Sequence, residues 1–362
     1  MEFGIFSNGF RPHTTASATY EEDLAEIVLA DQLGFRDAFI SEHHGEQVYI
    51  DKVDTLPVPE LLMCKAAGLT KRIRMGAAVK LIHLHHPVDT AMQAAVTDHL
   101  IGGSRFIFGF GSGFPSPLFA DERGLSFADR HERLRESLDL ILKCWTADEP
   151  FDWNGKHWRG KGIVATPRPL VLPHMPMATA TDTPAMIELA GARGYTLLTA
   201  QLEPPASIRK KADMYLRAAK AAGRAAPLNN ITTARYVYLA DSRREAMDDL
   251  RADINYELGY QMKRGLIRVI TSSYGLKLKS DTVAFDELEE AGIYCLGDPH
   301  TVARQLRQFY DDCGGFGTLL IVAGKKWASR EKVYRSMRLF MDHVAPQLRD
   351  LVPARDPDSV AA

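Results

Sequence analysis

A carboxylate and two imidazoles stand together in Ser41-Glu42-His43-His44, directly after a short apolar run predicted to be a strand. Histidine exchanges protons near neutral pH, and a neighbouring carboxylate can fix its orientation. The group therefore indicates acid–base chemistry at a strand end. The alternative is a helix-capping or solvent-facing pair of histidines.

A second group, His83-Leu84-His85-His86-Pro87, follows the third predicted strand. A predicted helix separates that strand from the second one. An H-x-H pattern is compatible with Zn²⁺, but a zinc site needs further ligands from other loops. The last three strand ends, Ala200-Gln201, Ala240-Asp241 and Gly324-Lys325, supply only Asp241 as a carboxylate and no histidine. We therefore expect no metal here, and a role in lining a pocket or forming a turn.

Two later strand ends could hold a phosphate. Gly109-Phe110-Gly111-Ser112-Gly113 offers backbone N–H groups, and Thr179 to Pro184 combines hydroxyls with a predicted helix start. Asp129, about 20 residues beyond the glycines, imitates a dinucleotide-binding fingerprint but begins a helix instead of ending a strand. Arg130 and Arg133 could supply the countercharge, although surface ion pairing explains them equally well.

The elements that position these groups alternate between short apolar runs and helix-period segments. Eight predicted strands separated by helices favour an α/β fold, a (β/α)₈ TIM barrel, over an open doubly wound sheet. An insertion follows the fourth strand, with a tight turn predicted at Asn154-Gly155, and a long mobile loop follows the seventh. We expect one domain over residues 1–350 and a disordered tail over 351–362. The predicted strands begin near Phe3, Asp37, Ile73, Arg105, Met175, Tyr195, Thr232 and Gly317.

Composition excludes several classes of protein. The 362 residues carry 44 basic and 46 acidic side chains, a net charge of −2, with 46% hydrophobic residues. These values exclude a disordered or low-complexity chain and give no general attraction to nucleic acid or anionic membranes. Four scattered cysteines suggest free buried thiols. No basic, apolar leader and no run of about 20 apolar residues is seen, so a cytoplasmic protein is expected.

Taken together, the motifs resemble those of the bacterial luciferase-like flavin-dependent monooxygenases. The matching stretches extend from the first predicted strand to the last and are weakest over about 245–295. Two segments, RESL at 135–138 and GGFGTL, are most similar to the branch of the family that includes diketocamphane and limonene monooxygenases. The segments that carry the family resemblance are FGIF at 3–6, LGFRDAFISEHH at 33–44, RIRMGAAVKLIHLHHP at 72–87, SRFIFGFGSG at 104–113, PMATATDTP at 176–184 and GGFGTLLIVAG at 314–324.

The resemblance implies a two-component monooxygenase. Reduced FMN would come from a separate NAD(P)H-dependent flavin reductase, react with O₂ at C4a, and oxygenate a small, mostly apolar substrate. Hydride transfer with the deazaflavin F420 is an alternative within the same superfamily. A flavin-binding protein without catalysis is an alternative of a different class, and a metal hydrolase is an alternative on the same barrel. A homodimer paired through helices near the second and third strands is also implied.

The resemblance also assigns residues. His43 is the expected acid–base group, with Glu42 orienting it. A cis peptide bond is expected at Ala78–Val79, beneath the flavin, and a mobile lid over 256–292. The phosphate would be held by Gly111, Ser112, Gly113, Arg130 (or Arg133 instead), Asp182 and Thr183. By position alone, the substrate residues would be His83, His85, Phe114 and Trp327.

Overall fold

The computed structural model describes most of the chain. The described ranges are 1–44, 56–113, 120–121, 123–224, 228–263, 271–276 and 285–351. The predicted C-terminal tail, beyond Leu351, therefore lies outside the described residues. Within these ranges no helix has the length and apolar character needed to cross a membrane.

Eight parallel strands close into a barrel, as predicted. The first strand pairs with the last, with Ile5 opposite Ile321, and every other neighbouring pair is also parallel. In chain order the barrel strands are β1 (Glu2–Phe10), β2 (Asp37–Ile40), β3 (Arg74–Ala77), β4 (Phe106–Gly111), β7 (Met177–Ala180), β8 (Thr196–Thr199), β9 (Ile231–Leu239) and β11 (Thr318–Lys325).

Helices surround this barrel and follow its strands. Several start at proline and end at glycine, the asymmetry expected of helix ends; Gly34, for example, caps the first helix with a positive φ of 87°. The helices are α1 (Ala16–Leu33), α2 (Pro59–Ala67), α3 (Pro87–Ile101), α4 (Arg130–Thr146), α5 (Pro184–Arg193), α6 (Pro205–Ala221), α7 (Arg243–Lys263), α8 (Phe285–Glu290), α9 (Pro299–Cys313), α10 (Arg330–Leu339) and α11 (Ala345–Leu348).

The insertion after β4 contains the predicted hairpin. Strands β5 (Phe151–Asn154) and β6 (Arg159–Ile163) pair antiparallel. The N–H of Gly155 donates to the carbonyl of Trp158 at 2.9 Å, which closes the turn where it was predicted.

The region after β9 differs from the predicted loop. Helix α7 occupies 243–263, and a further strand, β10 (Tyr294–Gly297), pairs with the second half of β9. The helix escaped prediction because its buried stripe is narrow, with Ala246, Leu250 and Ile254 spaced four apart among charged neighbours. Of the predicted lid, residues 264–270 and 277–284 lie outside the described residues.

Small and apolar side chains fill the barrel interior. Gly109 faces this interior, and a Cβ there would lie 1.7 Å from the carbonyl oxygen of Ala77, so the close approach of β3 and β4 requires glycine. The barrel-interior cluster, as we call it, consists of Phe39, Val79, Leu81, Leu84, Ile107, Ala178, Leu198, Ala234 and Leu320. Because the interior is packed, function belongs to the carboxyl ends of the strands.

All four cysteines are free, as expected, and three of them are buried. Burial raises the pKa of the Cys144 and Cys295 thiols to about 11. Both thiols therefore remain protonated and unreactive at neutral pH.

Candidate active site

Glu42 is the centre of a buried polar group at the end of β2. Its side chain is fully buried, and its Oε1 lies 2.7 Å from Nε2 of His44 and 3.0 Å from Nε2 of His85. Its Oε2 lies 3.5 Å from Nζ of Lys80. We call these four residues the Glu42 cluster. It joins the loops that follow β2 and β3.

The carboxylate of Glu42 is held ionised. Burial by itself would raise the pKa of Glu42, but hydrogen bonds from His44 and His85 and the charge of Lys80 oppose burial. The net result is a pKa well below the usual glutamate range. An ionised carboxylate only accepts hydrogen bonds, so both histidines present an N–H to it.

The pairing of Glu42 with His43 stays a prediction. Among the described residues, Glu42 accepts from His44, from His85 and from the backbone N–H of Leu81. In an extended segment alternate side chains share a side, which places His44 on the side of Glu42. His43 itself is half-buried, and its N–H donates to the carbonyl of Leu56 at 3.0 Å.

The chain after β3 carries the cis peptide bond at Ala78–Val79 that the resemblance implied. Lys80 follows it and continues the pairing with β4, since its N–H donates to the carbonyl of Gly109 at 2.9 Å. The side chain of Lys80 is buried, and its Nζ also lies 3.2 Å from Glu60 of α2. Lys80 thus connects two carboxylates beneath the loops.

The glycine loop after β4 offers fewer backbone N–H groups to an anion than predicted. The N–H of Gly111 already donates to the carbonyl of Lys80 at 3.1 Å. Ser112 is half-buried and Gly113 is exposed, with a positive φ of 63°. The backbone N–H groups of Ser112 and Gly113 are therefore the ones we assign to a phosphate.

Thr183 and Asp182 occupy the turn before α5. Thr183 is the N-cap residue, but its hydroxyl makes no capping hydrogen bond. Asp182 is largely exposed and pairs with Lys211, which also lies 2.7 Å from Glu203. The Thr183 hydroxyl is the better donor for an anion, because the Asp182 carboxylate would repel one.

The two candidate arginines have different surroundings. Arg133 is buried and donates to the carbonyls of His83 at 2.8 Å and Ser126 at 3.0 Å, so it supports the backbone. Arg130 is half-buried, and its guanidinium carbon lies 4.2 Å from the centre of the Phe127 ring. Arg130 is therefore the better placed of the two to reach a ligand.

The four predicted substrate residues do not form one group. His83 is buried, and its Nδ1 has no hydrogen-bond partner among the described residues; burial, followed by the charge of Arg133, lowers its pKa to about 4. His85 belongs to the Glu42 cluster. Trp327 lies after β11, where its Nε1 donates to Glu257 at 3.2 Å. Phe114 lies outside the described residues.

Comparison with known proteins identifies the chain's relatives. The family model for luciferase-like monooxygenases matches residues 1–315. The chain belongs to the luciferase-like monooxygenase family. The 4-hydroxyprotoasukamycin monooxygenase of Streptomyces nodosus subsp. asukaensis is 31% identical, covering 96% of this chain and 92% of that protein.

Two further relatives support the predicted branch of the luciferase-like monooxygenases. Limonene 1,2-monooxygenase of Rhodococcus erythropolis is 28% identical over 98% of this chain and 88% of its own length. A solved structure of the oxygenating constituent of 3,6-diketocamphane monooxygenase from Pseudomonas putida, in complex with FMN, superposes with a TM-score of 0.82. It is 23% identical and covers 96% of this chain and 98% of its own.

Sequence analysis of this luciferase-like monooxygenase missed three residues of the site. Lys80 does have a signal in the sequence, a lysine within the apolar run AAVKLI, because buried lysines are rare unless paired. Glu60 pairs with it from α2. Arg123, whose Nη2 lies 3.1 Å from Nδ1 of His44, sits in the insertion and left no signal of its own.

The Glu42 cluster also has the composition of a cation site, since ligand atoms of Glu42, His44 and His85 lie within 4.8 Å of one another. Two positively charged side chains already contact this group. Lys80 contacts the carboxylate, and Arg123 occupies the Nδ1 side of His44. A divalent cation would meet both, so we assign the group to hydrogen bonding.

Proposed function

We propose that this protein is the oxygenase component of a two-component monooxygenase, which uses reduced FMN and O₂ to oxygenate a small, mostly apolar organic molecule. The observation that carries the proposal is the Glu42 cluster, a buried ionised carboxylate with two histidines, placed beside His43 at the mouth of an apolar barrel. Proton donors and acceptors are thereby held next to a region that excludes water.

The residues present fit FMN. Ala78, Val79 and Ala180 join the apolar barrel-interior cluster and offer a wall for a flat ring. The phosphate would be held by the N–H groups of Ser112 and Gly113, the hydroxyl of Thr183 and the guanidinium of Arg130. When bound in reduced form, FMN would supply the two electrons that activate O₂.

The protein's own groups would manage protons and solvent. His43 is the acid–base residue of the proposal. Nδ1 of buried His83, which has no partner among the described residues, is available to a ligand, and the low pKa of His83 keeps the ring neutral at pH 7. Gly111 and Asp182 would border the cofactor without binding its phosphate.

Two partners belong to the proposal. An NAD(P)H-dependent flavin reductase would supply the reduced flavin. A second copy of the chain would pair through α2 and α3, where Leu61 is 70% and Leu100 64% exposed, together with exposed Leu69 and Val96. The neighbouring Ala66 and Ala95 belong to the core instead. Sedimentation velocity tests the dimer, and a monomer at micromolar concentration would contradict it.

Anaerobic titration with reduced FMN, oxidised FMN and F420, followed by turnover with O₂ and a generic reductase, tests the proposed function. We expect reduced FMN to bind most tightly and a panel of terpene ketones, aldehydes and aromatics to yield products that gain one oxygen atom. Preference for F420 without oxygen chemistry would favour the hydride-transfer alternative. Flavin binding with no product from any substrate would contradict the proposal.

The variant His43→Ala tests the assigned acid–base residue. We expect the fold to persist and product formation to fall by at least about 100-fold, the usual cost of losing such a group. The exposed His300 at the start of α9 provides the control, and His300→Ala should match the wild type. Unchanged coupling of O₂ to product in His43→Ala would remove His43 from its role.

A further inference from the structure

We propose that Arg123 is a positioning residue: by donating to Nδ1 of His44 it holds that imidazole as the neutral Nε2–H tautomer, and so keeps Glu42 and His85 in their working arrangement. This inference rests on the proposed function. It adds a residue from the insertion after β4 to the machinery at the ends of β2 and β3.

The chain of contacts determines the tautomer. A guanidinium has only hydrogen-bond donors, so Nδ1 of His44, 3.1 Å from Nη2 of Arg123, is an acceptor. A neutral imidazole has one donor and one acceptor. Nε2 of His44 therefore carries the proton and donates it to Glu42, 2.7 Å away.

Arg123 is held in place by its own segment. Two residues later, Leu125 packs against the barrel-interior cluster, and its N–H donates to the carbonyl of Ala120 at 2.8 Å. The contact with His44 thus links the insertion to the loop after β2. His44 is only 10% exposed, which limits the access of water to this link.

Protonation of His44 would break the link. An imidazolium would turn an N–H, and a positive charge, toward the Arg123 guanidinium. Among the described residues, the charged and titratable groups that face His44 are Glu42 from the loop after β2, His85 from the loop after β3, Arg123, and Lys80 through Glu42. Removal of Arg123 takes away both the donor to Nδ1 and the positive charge that faces it.

Histidine ring ¹⁵N NMR of the resting full-length protein, combined with steady-state kinetics, tests the inference. In the wild type we expect His44 as the Nε2–H tautomer between about pH 6 and 8. In Arg123→Ala we expect an imidazolium in part of that range, a kcat lower by between tenfold and about 100-fold, and an acidic limb of the kcat profile moved to higher pH. Arg123→Lys, which keeps a charged donor, should restore the tautomer and most of the rate.

The matched control is Arg135→Ala, because Arg135 is an exposed arginine of α4 whose ion pair within the described ranges is a long contact to Asp139 at 3.8 Å. It should leave the spectrum and the rate unchanged. An Nδ1–H or charged His44 in the wild type would overturn the inference, as would an Arg123→Ala variant with an unchanged tautomer, or with an unchanged rate and pH profile. The spectrum needs no turnover, so a protein that oxygenates nothing would refute the proposed function while the tautomer is still measured.

Discussion

Glu42 and Glu26 are both buried glutamates in contact with positive charge, yet their surroundings act on them in opposite directions. Glu42 accepts hydrogen bonds from two histidines and lies near Lys80. Glu26, in α1, pairs with Arg11 at 2.8 Å, but Arg11 also pairs with Asp23. Glu42 has two histidine donors besides Lys80, whereas Glu26 competes with Asp23 for one guanidinium.

The competition decides the charge state. Burial raises the pKa of Glu26, the nearby Asp23 raises it further, and Arg11 compensates only in part. The pKa of Glu42 is lowered, because donors and Lys80 outweigh burial. The pKa of a buried carboxylate is thus lowered where its hydrogen-bond donors and nearby positive charge outweigh burial. We infer that Glu42 serves the reaction, while Glu26 serves the fold through Arg11 and the N–H of Gly324.

The largest effect is expected from Glu42→Gln. The variant keeps the shape but removes the charge that holds His44, His85 and Lys80, leaving Lys80 with Glu60 alone. We expect product formation to fall by about 100-fold and the free energy of unfolding to drop by about 3 kcal/mol, as for a broken buried ion pair. Kinetics and urea denaturation measure the two. Wild-type activity in this variant would contradict the assignment of Glu42.

The pH dependence of unfolding should separate the two glutamates. Because the pKa of Glu42 is lower in the folded state, its stabilising contribution is present above the ordinary glutamate pKa and is lost as the pH falls toward the folded-state value. Because the pKa of Glu26 is raised, its contribution is present below the ordinary value and is lost as the pH rises. Urea midpoints should be measured over a pH series for the wild type and both variants. In Glu42→Gln the loss of stability at acidic pH should be smaller than in the wild type. In Glu26→Gln the loss of stability with rising pH should be smaller.

The smallest effect is expected from Glu26→Gln, which is also the matched control for Glu42→Gln. Glutamine can still accept from the N–H of Gly324, which Glu26 now does at 2.8 Å, and Arg11 keeps Asp23. The free energy of unfolding should change by less than about 1 kcal/mol at neutral pH, with full activity. A loss as large as that of Glu42→Gln would erase the distinction drawn here.

Sequence predicted the barrel well because its strands are apolar runs separated by capped helices, a pattern set locally. The partnership of Glu42 with His44 was within reach, since the two residues are two apart and share one side of an extended chain. The contacts of this group with Lys80, Glu60 and Arg123 could not be predicted from the sequence, because they join residues from different segments of the chain. Helix α7 was missed because charged residues dilute its apolar pattern, and β10 because its apolar run, YCLG, is only four residues long.

The central claim is that Glu42 is an ionised carboxylate buried between histidines at the mouth of the barrel. Infrared difference spectroscopy of wild type against Glu42→Gln, recorded through an acid titration of the folded protein, measures this directly. The account predicts a carboxylate signal for Glu42 at neutral pH that persists below the ordinary glutamate pKa for as long as the fold holds. A protonated carboxylic acid signal for Glu42 at neutral pH would contradict it.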